Sequence, residues 1–180
     1  LKDDTEITLS CAEGETGYVY EGKLDYKIDE FKVDTSKELP VNLMLNIGSP
    51  EKAFSGSLLP NNGIGLARLE FIINNYIKIH PLALSDYPHI KQDVKIEIQK
   101  IIGSHDDGEW YFIKRLARGM SKIASAVYPD PAIIRLSDFK SNEYSNLIGG
   151  DLYEPKEENP MLGWRGASRY YSKDYEKGFE

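Results

Sequence analysis

A single cysteine, Cys11, occurs in 180 residues. No intrachain disulfide framework is therefore available, and the chain fits a reducing compartment. Long apolar runs are also missing: the longest candidates are broken by Lys, Asn or His within about ten residues, half of what a membrane helix needs. No secretory signal opens the sequence, so a cytoplasmic protein that does not enter the membrane is expected. Positive charge is in deficit, with 22 Lys and Arg against 29 Asp and Glu for a net charge of −7, which argues against a nucleic-acid surface. Histidine is scarce, and His80, His89 and His105 have neither ligand-like spacing nor a neighbouring cysteine, so no zinc site is expected. No internal repeat or low-complexity tract is visible. What is present is 41% apolar, enough for a globular domain of ordinary size with a real core.

The order of patterns divides the chain. From Thr5 to Val33, short alternating pieces (EITLS, GYVYEGKL, KIDEFKV) with Gly14, Gly17 and Gly22 between them predict two or three short antiparallel strands. The polar stretch from Asp34 to Pro40 reads as a linker, and beyond it the pattern switches to strand-then-helix units. VNLMLNIG (41–48) is an apolar run of the kind buried on both faces of a parallel sheet. Ser49 and Pro50 begin a short helix, Pro60 to Gly63 turn the chain, and GIGLA forms a second strand. The next sixty residues or so read as helical: LEFIINNYIKI, KQDVKIEIQKII and DGEWYFIKRLARGMSKIASAV. The last of these carries Trp110, Ile113, Leu116, Met120, Ile123 and Val127 as one apolar stripe that packs on the sheet. YPDPAIIRLS is a third strand and MLGWRG a fourth. Strands alternating with helices predict an α/β fold with a parallel sheet and all strand C-termini on one side. Four such strands are half of a (β/α)8 barrel, and the residues after Pro40 are too few for a complete barrel of about 250.

Two arginines stand where such a fold builds its site. Arg68, in NNGIGLARLEF, and Arg135, in AIIRLSDFKSNEY, each leave the end of an apolar run. Two guanidinium forks converging from strand ends hold phosphate or carboxylate at a fixed angle, so a small phosphorylated acid is the expected ligand. Asn142 and Glu143 follow closely enough to orient Arg135 by hydrogen bonding. The alternative for both arginines is an ordinary ion pair. Arg165 could equally hold the EPKEEN loop by pairing with Glu154, Glu157 or Glu158, and that acidic loop reads more readily as solvated than as a cation site. Ser137 beside Asp138, and Ser104 beside His105 and Asp106, lack the context of a catalytic triad. The glycines of NGIG (62–65) fit tight strand packing better than a nucleotide loop.

The text around these arginines resembles the phosphoenolpyruvate-utilising enzymes in their phosphoenolpyruvate synthase (pyruvate, water dikinase) version. GIGLARLEFI is similar to the first signature of the barrel in that family. RLSDFKSNEYSNLIGG and EPKEENPMLGWRGASRY are similar to the second and third, and SCAEGETGYVYEG resembles the tail of the swivelling phosphohistidine domain that precedes the barrel. The resemblance implies residues 1–33 as that tail, 34–40 as linker and 41–180 as the first half of the TIM-type barrel. It implies a transferase of gluconeogenesis, in which ATP, pyruvate and water give AMP, phosphoenolpyruvate and phosphate, with Mg2+ at the barrel. Arg68, Arg135 and Arg165 match the substrate-gripping arginines. No catalytic residue is expected here, because the phosphorylated histidine, the metal carboxylates and the proton-donating cysteine belong to other blocks of the family, and Cys11 lies in the wrong part of the chain. The chain alone is thus expected to bind without turnover, with the remainder of its own chain or a second copy as partner. A phosphate-using dikinase and a noncatalytic anion-binding module are the rival readings.

Overall fold

A computed structural model describes residues 3–13, 16–30, 39–104 and 107–180. The chain divides into two compact units, Leu1–Pro40 and Val41–Glu180. In the first, β1 (Ile7–Ser10) pairs antiparallel with β2 (Tyr18–Glu21). The Thr8 hydroxyl donates to the Gly22 carbonyl at 2.7 Å and accepts the Leu24 N–H at 2.9 Å, which fixes the exit of the hairpin. Residues 23–30 form no strand. The rest of the expected third strand, Gly14, and most of the 34–40 linker fall outside the described residues.

The second unit is mixed α/β around a parallel sheet. Its strands β3 (Leu45–Ile47), β4 (Ile64–Arg68) and β5 (Ala132–Arg135) lie in the order β3-β4-β5. Helix α1 (Pro50–Ser57) joins β3 to β4. Between β4 and β5 come α2 (Leu69–Ile72), a π-turn at Ile73–Ile77, α3 (Pro81–Ser85), α4 (Gln92–Ile102) and α5 (Gly108–Val127). The π-turn ends at Lys78, whose left-handed backbone (φ 65°) donates its N–H to the Ile73 carbonyl at 2.7 Å. The Asp107 carboxylate caps α5 by accepting the Trp110 N–H at 2.9 Å.

A core of Ile47, Ala53, Ile64, Ala67, Ile72, Ile123 and Val127 lies between the sheet and its helices. It covers one face only. Asn46, Ile133 and Arg135 remain exposed, so the run 41–48, expected to be buried on both sides, is not: Val41 and Leu43 are exposed and the strand shrinks to three residues. The stripe on α5 is corrected in the same way. Ile123 and Val127 are buried, but Trp110 and Ile113 face solvent, because the first half of the helix packs through Tyr111 instead.

Beyond β5 the expected fourth strand does not form. Residues 161–166 are turns and bends. The Trp164 N–H donates to Glu157 Oε1 at 2.7 Å rather than to a neighbouring strand, and Gly166 takes a φ of +56°. Among the described residues no closed barrel is seen. Instead α6 (Ser141–Ser145), a 3-10 turn at Gly150–Leu152, α7 (Ala167–Tyr170) and α8 (Glu176–Phe179) fold onto a second core built around Ile77, Ile79, Leu84, Ile98, Tyr144 and Tyr175.

Candidate functional site

Strand β4 runs Ile-Gly-Leu-Ala-Arg and β5 runs Ala-Ile-Ile-Arg, and parallel pairing sets Arg68 opposite Arg135 at the C-terminal ends. Arg165 arrives from the 161–166 turn. All three line one cavity of about 410 Å3. With Lys140 they supply its positive charge; Glu70, Asp138 and Glu143 supply the negative, leaving the cations in excess by one.

The arginines differ in how they are held. Arg135 Nη2 donates to Glu70 Oε1 at 2.6 Å, and its Nη1 lies 3.8 Å from Asp138 Oδ2. Arg165 makes a fork on Asp138, with Nε 3.0 Å from Oδ1 and Nη2 2.9 Å from Oδ2. The Arg165 guanidinium holds the Asp138 carboxyl below its ordinary pKa, against the opposing pull of partial burial. Arg68 is exposed and forms no ion pair or side-chain hydrogen bond with another described residue. An anion entering from solvent therefore meets one unpaired fork and two whose geometry is already set.

Two expectations need correcting. Arg135 is oriented by Glu70 and Asp138, not by Asn142 or Glu143: Asn142 is exposed, and Glu143 Oε2 accepts the Lys140 N–H at 2.8 Å at the start of α6. Arg165 does not pair with Glu154, Glu157 or Glu158. The EPKEEN loop is held by other groups and is not simply solvated. Glu154, with no exposed side-chain surface, takes a fork from Arg169: Nη1 to Oε1 at 2.5 Å and Nη2 to Oε2 at 2.7 Å. Glu157 Oε2 accepts the Ser141 hydroxyl, and its other oxygen accepts the Trp164 N–H.

His80 completes the buried cluster. Its Nδ1 accepts the Leu82 N–H at 3.2 Å, so the proton sits on Nε2, which donates to Glu154 Oε1 at 2.9 Å. Burial pushes the His80 pKa down, opposed by its bond to Glu154. Glu154 would be raised by burial, but the bonds from His80 and Arg169 prevail and lower it. The Arg169 guanidinium also lies 4.0 Å from the Trp164 ring centre and 4.4 Å from that of Tyr144, and its Nη2 donates to the Trp164 carbonyl at 3.0 Å. This cluster thus grips the residue next to Arg165.

Sequence reasoning missed Glu70, Asp138 and Arg169. Glu70 and Asp138 do stand two and three residues after the two strand-end arginines, which is a usable local signal. Arg169, reaching back to Glu154, had none.

The cavity does not fit a magnesium ion from its own residues. Among the described residues no three His, Cys, Asp or Glu side chains come together as ligands, and Glu70 and Asp138 are both engaged by arginines. No described helix is long and apolar enough to cross a membrane.

A parallel-sheet α/β domain with arginines gathered at the strand ends has a geometry suited to an anion. The family described as "PEP-utilising enzyme, PEP-binding domain" matches residues 24–177. The chain belongs to this family. It is similar to the phosphoenolpyruvate synthase of Deinococcus radiodurans, 52% identical over 99% of this chain and 23% of that protein. The enzyme of the same name from Escherichia coli K12 is 47% identical over 99% and 23%, and that from Aquifex aeolicus 46% over 99% and 26%. The chain spans about a quarter of the length of these curated relatives.

Proposed function

We propose that the arginine cavity is the phosphoenolpyruvate/pyruvate site of a phosphoenolpyruvate synthase, whose whole reaction converts ATP, pyruvate and water to AMP, phosphoenolpyruvate and phosphate. The observation that carries this reading is the convergence of Arg68, Arg135 and Arg165 on one cavity in a chain of the phosphoenolpyruvate-binding family. Phosphoryl transfer asks little covalent help of a protein. Fixed positive charge and in-line positioning stabilise the negative charge spread over the transition state, and planar guanidinium forks supply both.

The architecture is read as the opening part of a (β/α)8 barrel: parallel strands, helices on one face of the sheet, and a site at the strand C-termini. Residues 1–33 are assigned to the tail of the swivelling domain, 34–40 to a linker and 41–180 to the barrel. The division into Leu1–Pro40 and Val41–Glu180 supports this assignment, although the family match starts at residue 24, within the first unit. Mg2+ is assigned to ligands outside this chain.

Calorimetric titration with oxalate or phosphoenolpyruvate tests the site, comparing the unaltered chain with Arg68→Ala and Arg135→Ala, with and without magnesium. Weaker binding by both variants is expected. Equal affinity in all three proteins would overturn the assignment.

A further inference from the structure

Glu70 stands two residues after Arg68, in α2, yet its geometry differs from that of a simple counter-ion to a neighbouring arginine. One of its oxygens, Oε1, accepts from both Arg135 Nη2, at 2.6 Å, and the backbone N–H of Asp138, at 3.0 Å. The carboxylate side chain is mostly enclosed, 12% exposed. Asp138 in turn carries the Arg165 fork, and Arg165 Nη2 also reaches the Asp138 carbonyl at 3.3 Å. A single oxygen on α2 therefore tethers one arginine directly and, through the Asp138 backbone, the residue that aims another.

We propose that Glu70 is a positioning residue that sets Arg135 and Arg165 together, so that the two forks present a prearranged surface to a small carboxylate- or phosphate-bearing ligand. The ligand class rests on the functional reading above; the positioning itself does not.

The physical argument is one of reach. Arg135 and Arg165 are 42% and 26% exposed at their side chains, and a long flexible side chain in that setting loses rotamer entropy when a ligand binds. Holding two forks in advance removes part of that cost. The alternative for Glu70 is that of a competing charge that occupies Arg135 until ligand arrives. The two roles predict opposite effects. Glutamine keeps an oxygen able to accept both bonds and drops the charge. Alanine drops both, and aspartate keeps the charge but is one methylene too short to hold Arg135 and the Asp138 N–H at once.

The test has two readouts on the intact 180-residue chain. The first is the Arg165 Nε–H signal in a nitrogen–proton correlation spectrum, which needs no ligand. A slowly exchanging, shifted resonance is expected in the unaltered protein and in Glu70→Gln, and its collapse toward the free-arginine position in Glu70→Ala and Glu70→Asp. The second is oxalate affinity, expected to fall about tenfold or more in Glu70→Ala and Glu70→Asp while Glu70→Gln stays within about threefold of the unaltered chain. An unmoved Arg165 signal in Glu70→Ala, or tighter oxalate binding by both Glu70→Gln and Glu70→Ala, overturns the proposal. Should Glu70→Ala fail to fold, Glu70→Asp decides on the same readouts. If the unaltered chain binds no oxalate, the functional reading falls while the resonance still decides the positioning role.

Discussion

Arg68 and Arg135 are register partners at the ends of adjacent parallel strands, and only Arg135 has a carboxylate at hydrogen-bond distance among the described residues. Removing them should therefore have unequal effects. Arg68→Ala deletes a fork that makes no ion pair or side-chain hydrogen bond with another described residue, so folding stability should hardly change. A charge-assisted hydrogen bond contributes about 1.5–3 kcal/mol, and oxalate affinity should fall roughly 10- to 100-fold. Arg68→Lys should recover only part of it, because an ammonium offers charge without the fork. Calorimetry and a urea melt of the same samples check both halves; a large stability loss in Arg68→Ala would contradict the picture.

Arg169 calls for the opposite outcome. Its guanidinium and the Glu154 carboxylate are essentially without solvent contact, so Arg169→Ala leaves a buried charge with its main partner gone. Such losses cost about 3–5 kcal/mol. Replacing His80, Glu154 and Arg169 together by apolar residues of similar volume should destabilise far less than the single change. Urea denaturation of the two variants settles the comparison.

The same cluster predicts a pH dependence. Burial lowers the His80 pKa from its ordinary 6.5, so as pH falls through 6.5 the unfolded chain takes up the proton first. Stability is lost from there down to the folded value. Although burial opposes the change, the bonds from His80 and Arg169 lower the Glu154 pKa from 4.5. Its contribution is present above 4.5 and lost as pH falls below it toward the folded value. Both groups act in one direction, so the urea midpoint should drop between pH 7 and 5.5 and drop further below 4.5. His80→Gln should flatten the first limb and leave the second.

Gly63 governs how β4 meets β5. Its φ is +102°, and a Cβ there would lie 2.2 Å from the Pro131 carbonyl oxygen, the same oxygen that accepts the Ile64 N–H at 2.8 Å. Gly63→Ala should cost more than about 1 kcal/mol, since the backbone would have to leave a left-handed conformation and a strand contact together. It should also loosen the register that brings Arg68 beside Arg135. A thermal melt detects the first effect and oxalate titration the second; an unchanged melting temperature would refute the steric argument.

Much of this was legible in the residues. Short apolar runs ending in Arg68 and Arg135 announced strands that deliver charge to one end of a sheet, Ser49 and Pro50 announced the start of α1, and the apolar repeat along 110–127 announced α5. The misses share a cause. MLGWRG looks like a strand by composition, yet its Trp164 N–H is taken by Glu157, seven residues earlier. Trp110 and Ile113 have helical spacing with the buried residues of α5, but spacing alone does not say how far the neighbouring core extends along a helix.

The amino-acid order alone determined which segments carry strand and helix periodicity, where the arginines stand at the strand ends, and which family the blocks around them resemble. Only the folded chain decided which carboxylates those arginines meet: Glu70 lies 65 residues before Arg135, and Asp138 lies 27 before Arg165. Periodicity is a local property of the backbone, written into every few residues. Ion pairing depends on the reach of side chains across the tertiary structure, and with 29 acidic residues to choose from nothing short of that structure could assign the partners.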